Sequence, residues 1–241
     1  MQFADIHNHM LFGVDDGAKT EAEMYQIIDD SYADGVRHLC FTPHYHPGYF
    51  GEHQAQIEAA FALAQAYCAE RYPDLQLFLG NELRYERSCT DWLEQGRCQT
   101  LNGTEYLLVD FLYPEPAENI LDAMLRVLNA GYTPVLAHVE RYYELLDHPE
   151  AVLEFKELGT LIQVNVGTVL GKTGGAEKRF ARDLLKAECV DFLATDAHNV
   201  DSRAPRVQEA LKQLYKKYDR AYVRRISYEN TCRLLGRQDE D

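Results

Sequence analysis

Seven short apolar runs, each of five to seven residues, recur along this 241-residue chain and alternate with longer stretches patterned for helices. The runs fall at residues 2–6, 36–42 (VRHLCFT), 75–80 (LQLFLG), 106–111 (YLLVDF), 133–138 (TPVLAH), 161–166 (LIQVNV) and 190–195 (VDFLAT). Helix-like patterns occupy 20–34, 53–71, 117–130, 149–158, 176–188 and 204–217. Parallel strands cannot be joined by a tight turn and need a crossover, so this alternation predicts an α/β chain with parallel strands and outer helices. No Pro-, Gly- or Ser-rich linker divides the series and no segment repeats, which predicts one barrel-like domain over residues 1–241. Residues 236–241 read as a frayed tail. Thr20 followed by Glu23 predicts a capping box for the first helix, and Pro43 and Pro47 predict an irregular loop after the second strand.

A parallel barrel gathers the C-terminal ends of its strands on one face, where such folds place their chemistry. The first run ends in Asp5-Ile6-His7-Asn8-His9, and alternate residues of a strand share a face, so His7 and His9 present two imidazoles to one point. The following loop adds Asp16. Later runs end in His44, Glu82, Asp110, His138 and the pair Asp196 and His198. Taken singly, each has an ordinary reading: an HxH pair can be hydrogen-bonded polar residues, and Asp110 a helix cap or turn former. Nine such groups in one cleft would repel one another and lose solvation without cations, so their recurrence at successive strand ends favours metal. The donors are nitrogen and oxygen only, which favours manganese, zinc or iron(II). Nine donors exceed one coordination sphere, so two or three ions are expected, with Glu82 able to bridge a pair about 3.5–4 Å apart. His38, His53 and His148 read as surface residues, and His46 and Asp15 as neighbours without an assigned role.

Composition narrows the function classes. Acidic residues outnumber basic ones 39 to 24, a net charge of −15, which opposes nucleic-acid binding. No apolar run approaches the ~18 residues of a membrane span. Six cysteines without CxxC spacing, and no leader-like segment, predict reduced thiols in a soluble cytoplasmic protein. A thiolate phosphatase needs Cys-x5-Arg; the sixth residue after each cysteine is His46, Asp74, Gln95, Thr104, Thr195 or Gln238, so that mechanism has no loop to occupy. Gly167 to Thr173 imitates a P-loop, but three residues separate its glycines where the motif needs four. Lys172 within it reads as a surface residue that could line the cleft, and Asn165 as a strand-end residue either orienting a ligand or making a turn.

The ordered segments DIHNHMLFGVDDGAKT, FTPHYHPG, LGNELRY, AHVERY, QVNVGTVLG and ATDAHN resemble the polymerase and histidinol phosphatase (PHP) superfamily, and within it the bacterial capsule-type protein-tyrosine phosphatases. The resemblance spans nearly the whole chain. It implies a distorted seven-stranded PHP barrel around a di- or trinuclear site, most characteristically of manganese, with zinc, iron(II) or cobalt as alternatives. By that resemblance His7, His9, Glu82 and Asp196 hold one ion; Glu82, Asp110 and His138 a second; Asp16, His44 and His198 a third. Arg141 and Arg203 fall where the family binds phosphate, and His44 is placed to assist the leaving group. Two positions depart from the family: Asp110 stands where relatives carry glutamate, and Val139 where they carry proline. Three divalent ions against Asp16, Glu82, Asp110 and Asp196 leave about +2, which suits a hydroxide attacking a phosphomonoester. The implied enzyme is a metal-dependent protein-tyrosine phosphatase regulating capsule and exopolysaccharide synthesis, with an autophosphorylating tyrosine kinase as partner and no nucleic-acid or membrane partner. The alternatives are a small-molecule phosphatase such as a histidinol-phosphate phosphatase, a PHP-type phosphodiesterase or nuclease, and a non-enzymatic protein that has kept the fold.

Overall fold

The computed structural model describes residues 1–50 and 53–236. All seven expected strands form: β1 (Phe3–Asp5), β2 (Val36–Phe41), β4 (Gln76–Leu79), β6 (Tyr106–Asp110), β7 (Thr133–Leu136), β8 (Leu161–Asn165) and β9 (Phe192–Ala194). Two further strands, β3 (His44–Tyr45) and β5 (Glu82–Arg84), were not anticipated. Pro43 and Gly80-Asn81 interrupt the second and third strands, which resume one step on. The ladder therefore splits into β1-β2-β4 and β3-β5-β6-β7-β8-β9, every pairing parallel. The segment after Pro43, expected to be irregular, is thus partly strand. Its backbone is recruited by β5, His44 pairing with Glu82.

The ends of this curled sheet meet through the segments beyond β1 and β9. Asn8 bridges Ala197, the His9 amide donates to the Ala197 carbonyl at 2.8 Å, and the Asp196 amide donates to the His7 carbonyl at 2.8 Å. The result is a distorted, barrel-like curl of parallel strands. Strand alternation sorts its side chains. Ile6, Cys40, Phe78, Leu108, Val135, Ala137, Phe192 and Ala194 form an inner cluster, joined by Leu101, Leu234 and Leu235. Leu39, Phe41, Leu107, Val109, Leu136, Ile162, Val164 and Leu193 belong to the larger outer core beneath the helices. The period of two then carries Asp110 and Asp196 inward two residues beyond Leu108 and Ala194, so the packing that closes the barrel also aims the strand-end carboxylates.

The predicted helices appear as α1 (Glu21–Ala33), α2 (Gln54–Arg71), α4 (Ala117–Asn129), α6 (Pro149–Glu157), α8 (Gly175–Lys186) and α9 (Val207–Leu214). Short α3 (Cys89–Glu94), α5 (Tyr143–Leu146) and α7 (Val166–Leu170), and a C-terminal run of α10 (Arg220–Arg224), a π turn (Arg225–Glu229) and α11 (Asn230–Leu234), add to them. The Thr20 hydroxyl caps α1 by accepting from the Glu23 amide at 3.2 Å, while the Glu23 carboxylate accepts from the Lys19 amide rather than completing the expected box at Thr20. α7 fills the span of the P-loop imitation and ends at Gly171, whose φ of 83° is the left-handed turn glycine supplies. Residues 237–241 of the expected tail lie outside the described residues. Among the described residues, no helix is long and apolar enough to cross a membrane.

Candidate metal centre

The strand-end groups converge. The Nε2 atoms of His7 and His9 face each other at 3.3 Å; each lies 3.3 Å from an oxygen of Glu82 and 3.5 Å from Asp196 Oδ1. Glu82 sits at the centre of the whole cluster. Its Oε1 is also 2.9 Å from His138 Nε2, and its Oε2 is 2.8 Å from His44 Nδ1. Asp110 Oδ1 lies 3.8 Å from His138 Nε2. On the far side, Asp16 Oδ1 is 3.3 Å from His198 Nε2 and 3.6 Å from His44 Nε2. All nine residues expected at the site are therefore brought together. Four subsets could each hold an ion, their donor atoms within 4.8 Å of one another: His9, Asp16, His44 and His198; His7, His9 and Glu82; His7, His138 and Asp196; His44, Glu82 and Asp110.

The donor set fits divalent cations. Two imidazole nitrogens turned toward one another at 3.3 Å cannot both act as acceptors without a shared cation or proton between them. Glu82 Oε2 and His198 Nε2 are buried, and although His44 Nδ1 lies 2.8 Å from the first and Asp16 Oδ1 3.3 Å from the second, neither contact has hydrogen-bond geometry, a costly arrangement unless something else satisfies the two atoms. His138 (φ 33°) and Asp196 (φ 50°) both occupy the left-handed region, a strain non-glycine residues tolerate mainly where the surroundings demand it.

Protonation preferences follow the same crowding. Burial opposes the charge on His7 and His9, but neighbouring carboxylates outweigh it: Glu82 and Asp196 raise the pKa of His7, and Asp15 with Glu82 holds that of His9 well above the usual imidazole range. Burial likewise opposes ionisation of Glu82 and Asp196, yet His7 and other cationic neighbours hold both well below ordinary carboxylates. His198 goes the other way, lowered to about 4 by burial and by His9.

Two guanidinium groups stand at the rim. Arg203 Nη2 is 2.6 Å and Arg141 Nη1 3.5 Å from Asp196 Oδ2, with side chains 35% and 39% exposed. They border a cavity of about 340 Å³ lined by Asp16, His44, Glu82, Asp110, Tyr113 and Phe50. The same arginines, with Tyr113 and Asp196, wall a second cavity of about 390 Å³.

Comparison with known proteins assigns the scaffold. The family model described as capsular polysaccharide synthesis, CpsB/CapC, matches residues 3–236. The chain belongs to the CpsB/CapC family. The tyrosine-protein phosphatase CpsB of Streptococcus agalactiae is 34% identical over 236 residues, 96% of this chain and 97% of its own length. A crystal structure from work on YwqE of Bacillus subtilis and CpsB of Streptococcus pneumoniae, described there as unique metal-dependent tyrosine phosphatases, superposes with a TM-score of 0.88 at 29% identity, covering 98% of this chain and 95% of that one. The histidinol phosphate phosphatase of Lactococcus lactis shares the fold alone, with a TM-score of 0.55 at 16% identity over 98% of this chain and 93% of that one.

Around the cluster of this CpsB/CapC chain stand residues that sequence reasoning passed over. Asp15, left without a role, accepts from His9 Nδ1 at 2.7 Å, the Gly17 amide at 2.9 Å and the His44 amide at 3.0 Å. Gly17 is needed beside it, because a methyl group there would overlap the His9 carbonyl oxygen. Gln163 Oε1 lies 2.9 Å from His7 Nδ1 and accepts from the His138 amide at 2.8 Å, while its Nε2 donates to Asn165 Oδ1 at 2.8 Å. Asn165 in turn donates to Asp196 Oδ2 at 2.8 Å, so its role is to orient a cluster carboxylate. Arg84 pairs with Asp110 Oδ2 at 2.8 Å. For Arg84 and Gln163 the signal was weak: polar residues at inward positions of β5 and β8, read without the partner strand in view.

Two expectations need correction or refinement, those for His38 and His46. His38 is not a surface residue. It is 8% exposed, lies two residues before inward-facing Cys40 and stacks on Phe78 with Tyr228 at its edge. Among the aromatic residues that follow β2, Tyr45 is buried against Trp92, whereas Tyr49, 76% exposed, and Phe50 face the cavity. Phe50 stacks on the His44 ring at a 4.9 Å centroid distance. His46 lines the cavity and lies 3.6 Å from Glu86.

Proposed function

We propose that this CpsB/CapC chain is a metal-dependent tyrosine-protein phosphatase, a single catalytic domain acting on phosphotyrosine proteins of capsular and exopolysaccharide synthesis. The observation that carries it is the convergence of nine nitrogen and oxygen donors from the strand ends beneath two partly exposed arginines. In this reading His7, His9, Glu82 and Asp196 hold one divalent ion. Glu82, Asp110 and His138 hold a second, and Asp16, His44 and His198 a third where three bind. The oxygen and imidazole donors suit manganese, with zinc, iron(II) or cobalt as substitutes. Such ions supply positive charge opposite the phosphate oxygens and acidify water.

The chain's own residues do the rest. Arg141 and Arg203 present planar donors to the phosphate and hold it over the cluster. Their contact with Asp196 keeps both guanidinium groups aimed at the same point before substrate arrives. Tyr113 lies 5.4 Å beneath the Arg141 guanidinium and, with Tyr49 and Phe50, offers faces to the aromatic ring of the ester. Where only two ions bind, His44, partly exposed on the cavity wall, is free of metal and placed to move a proton to the leaving oxygen. A phenol has a pKa of about 10, so it departs with less help than an alkoxide. The substrate's source would be an autophosphorylating tyrosine kinase, met in the cytoplasm, and the acidic balance of the chain argues against polynucleotides.

The test pairs elemental analysis with turnover of a phosphotyrosine peptide, histidinol phosphate and single-stranded DNA, repeated with His9→Ala. The reading expects bound divalent metal, preference for the peptide, and loss of both metal and turnover in the variant. Preferential turnover of histidinol phosphate or DNA would replace the substrate assignment.

A further inference from the structure

Beyond the wall formed by Tyr113, Arg141, Asp196 and Arg203 lies the second cavity, about 390 Å³, into which the phosphatase reading places nothing. Its far side is built from the loop after α7 and the start of α9, and carries Lys172 and Arg206. Two carboxylates line it, Glu177 and Asp196. Asp196 is already engaged by Arg141 and Arg203, whereas no described carboxylate is ion-paired with Lys172 or Arg206. Four cations against two anions leave this cavity net positive in a chain of net charge −15.

The imbalance extends beyond the pocket. Residues 1–171 hold 9 basic and 27 acidic side chains; residues 172–241 hold 15 and 12. The adjoining groove between α8 and α9 continues the positive sign with Lys178, Arg179, Arg182 and Lys217. An acidic protein that concentrates its cations in one region, around a cavity sharing a wall with the metal cluster, attracts an anionic partner to that face. The shared wall constrains which one. A polypeptide whose phosphotyrosine occupies the cavity over the cluster can reach the second cavity with the residues on one side of it, across Arg141 and Arg203.

Resting on the phosphatase reading, we propose that the cavity beside Lys172 and Arg206 is an accessory subsite for an acidic residue flanking the phosphotyrosine, so that the enzyme selects tyrosine sites set among glutamate or aspartate. Lys172 and Arg206 are specificity-determining and stand apart from the reacting atoms. The gain is read in KM, because the contact is made equally in the ground and transition states.

The experiment compares p-nitrophenyl phosphate with two phosphotyrosine peptides, one with glutamate and one with alanine on either side of the tyrosine, using wild type and the double variant Lys172→Ala, Arg206→Asn. Asparagine tolerates the left-handed backbone of Arg206 (φ 43°), so the variant keeps the turn before α9. The expected result is a wild-type KM lower for the glutamate peptide by roughly five- to tenfold, abolished in the variant. Turnover of p-nitrophenyl phosphate and of the alanine peptide stays unchanged. No wild-type preference, or a preference that survives the double substitution, overturns the subsite while leaving the phosphatase reading intact. Wild-type protein inert on all three esters overturns the phosphatase reading, and the subsite with it.

Discussion

Asp15 Oδ2 lies 2.7 Å from Nδ1 of His9, and Nε2 of the same ring faces His7 and Glu82 at 3.3 Å. One nitrogen is thus fixed by a carboxylate so that the other is presented, lone pair first, to the centre of the cluster. Burial works against ionising Asp15, but His9 and His44 hold its pKa down to about 2, so it remains an anion at any working pH. A carboxylate behind a ligating imidazole sets the tautomer and raises its basicity. Asp15→Asn keeps the shape and removes the charge. Its metal affinity should fall by about tenfold or more in a competitive chelator titration. An affinity equal to wild type would mean that Asp15 only shapes the loop.

Gln163 makes a parallel prediction on the opposite wall. Its side-chain oxygen serves both the His7 ring and the His138 amide, and its amide holds Asn165 against Asp196. Gln163→Leu conserves volume but leaves a buried imidazole N–H and a backbone N–H unsatisfied, costing about 1–3 kcal/mol for each. Thermal melting should drop accordingly, and metal affinity with it. A leucine variant that melts like wild type would show that these bonds are not limiting.

Metal binding should strengthen with pH, and the sign follows from the histidines. Without metal, His7 and His9 have raised pKa values, so they carry protons further into the neutral range than free imidazole does. A cation must displace those protons, and each one displaced changes the affinity by about tenfold per pH unit below the raised value. Calorimetry in buffers of different ionisation enthalpy should detect proton release, with tighter binding at pH 8 than at pH 6. Equal affinity at the two pH values would refute this protonation assignment.

Arg203 is the stronger of the two rim cations by distance, 2.6 Å from Asp196 against 3.5 Å for Arg141. Removing a preorganised donor to the transferring phosphoryl group costs about 10²–10³ in turnover. Arg203→Ala should therefore lose more kcat than Arg141→Ala, with metal content near wild type in both. Metal loss matching the loss of rate would reassign Arg203 as a support for Asp196.

The sequence made the strand-end series legible because its chemistry is periodic. Apolar runs with a period of two end in His, Asp or Glu, and a parallel barrel allows one place for such ends to meet. What escaped is what depends on a partner strand. Nothing in residues 42–45 announces that Pro43 hands the chain from β2's ladder to β5's. His38 was misplaced because an imidazole in a β-rich run invites a surface assignment until Phe78 and Tyr228 are seen around it. Asp15 was overshadowed by its neighbour Asp16. The two differ in where the loop turns them, one toward His9 Nδ1 and the other toward His44 and His198. α3 and the helical run from Arg220 to Leu234 are assembled from pieces of five or six residues, too short for a 3.6-residue period to declare itself.

All six cysteines are buried and unpaired in disulfides, and burial raises the thiols of Cys68 to about 11 and Cys98 to about 12, far from nucleophilic. The most direct measurement is therefore phosphotyrosine-peptide turnover after exhaustive chelation, after manganese is restored, and after thiol alkylation of the holoenzyme. The account predicts activity lost on chelation, recovered with manganese, and unchanged by alkylation. Full activity in the metal-stripped protein, or its loss on alkylation of the metal-loaded one, would contradict it.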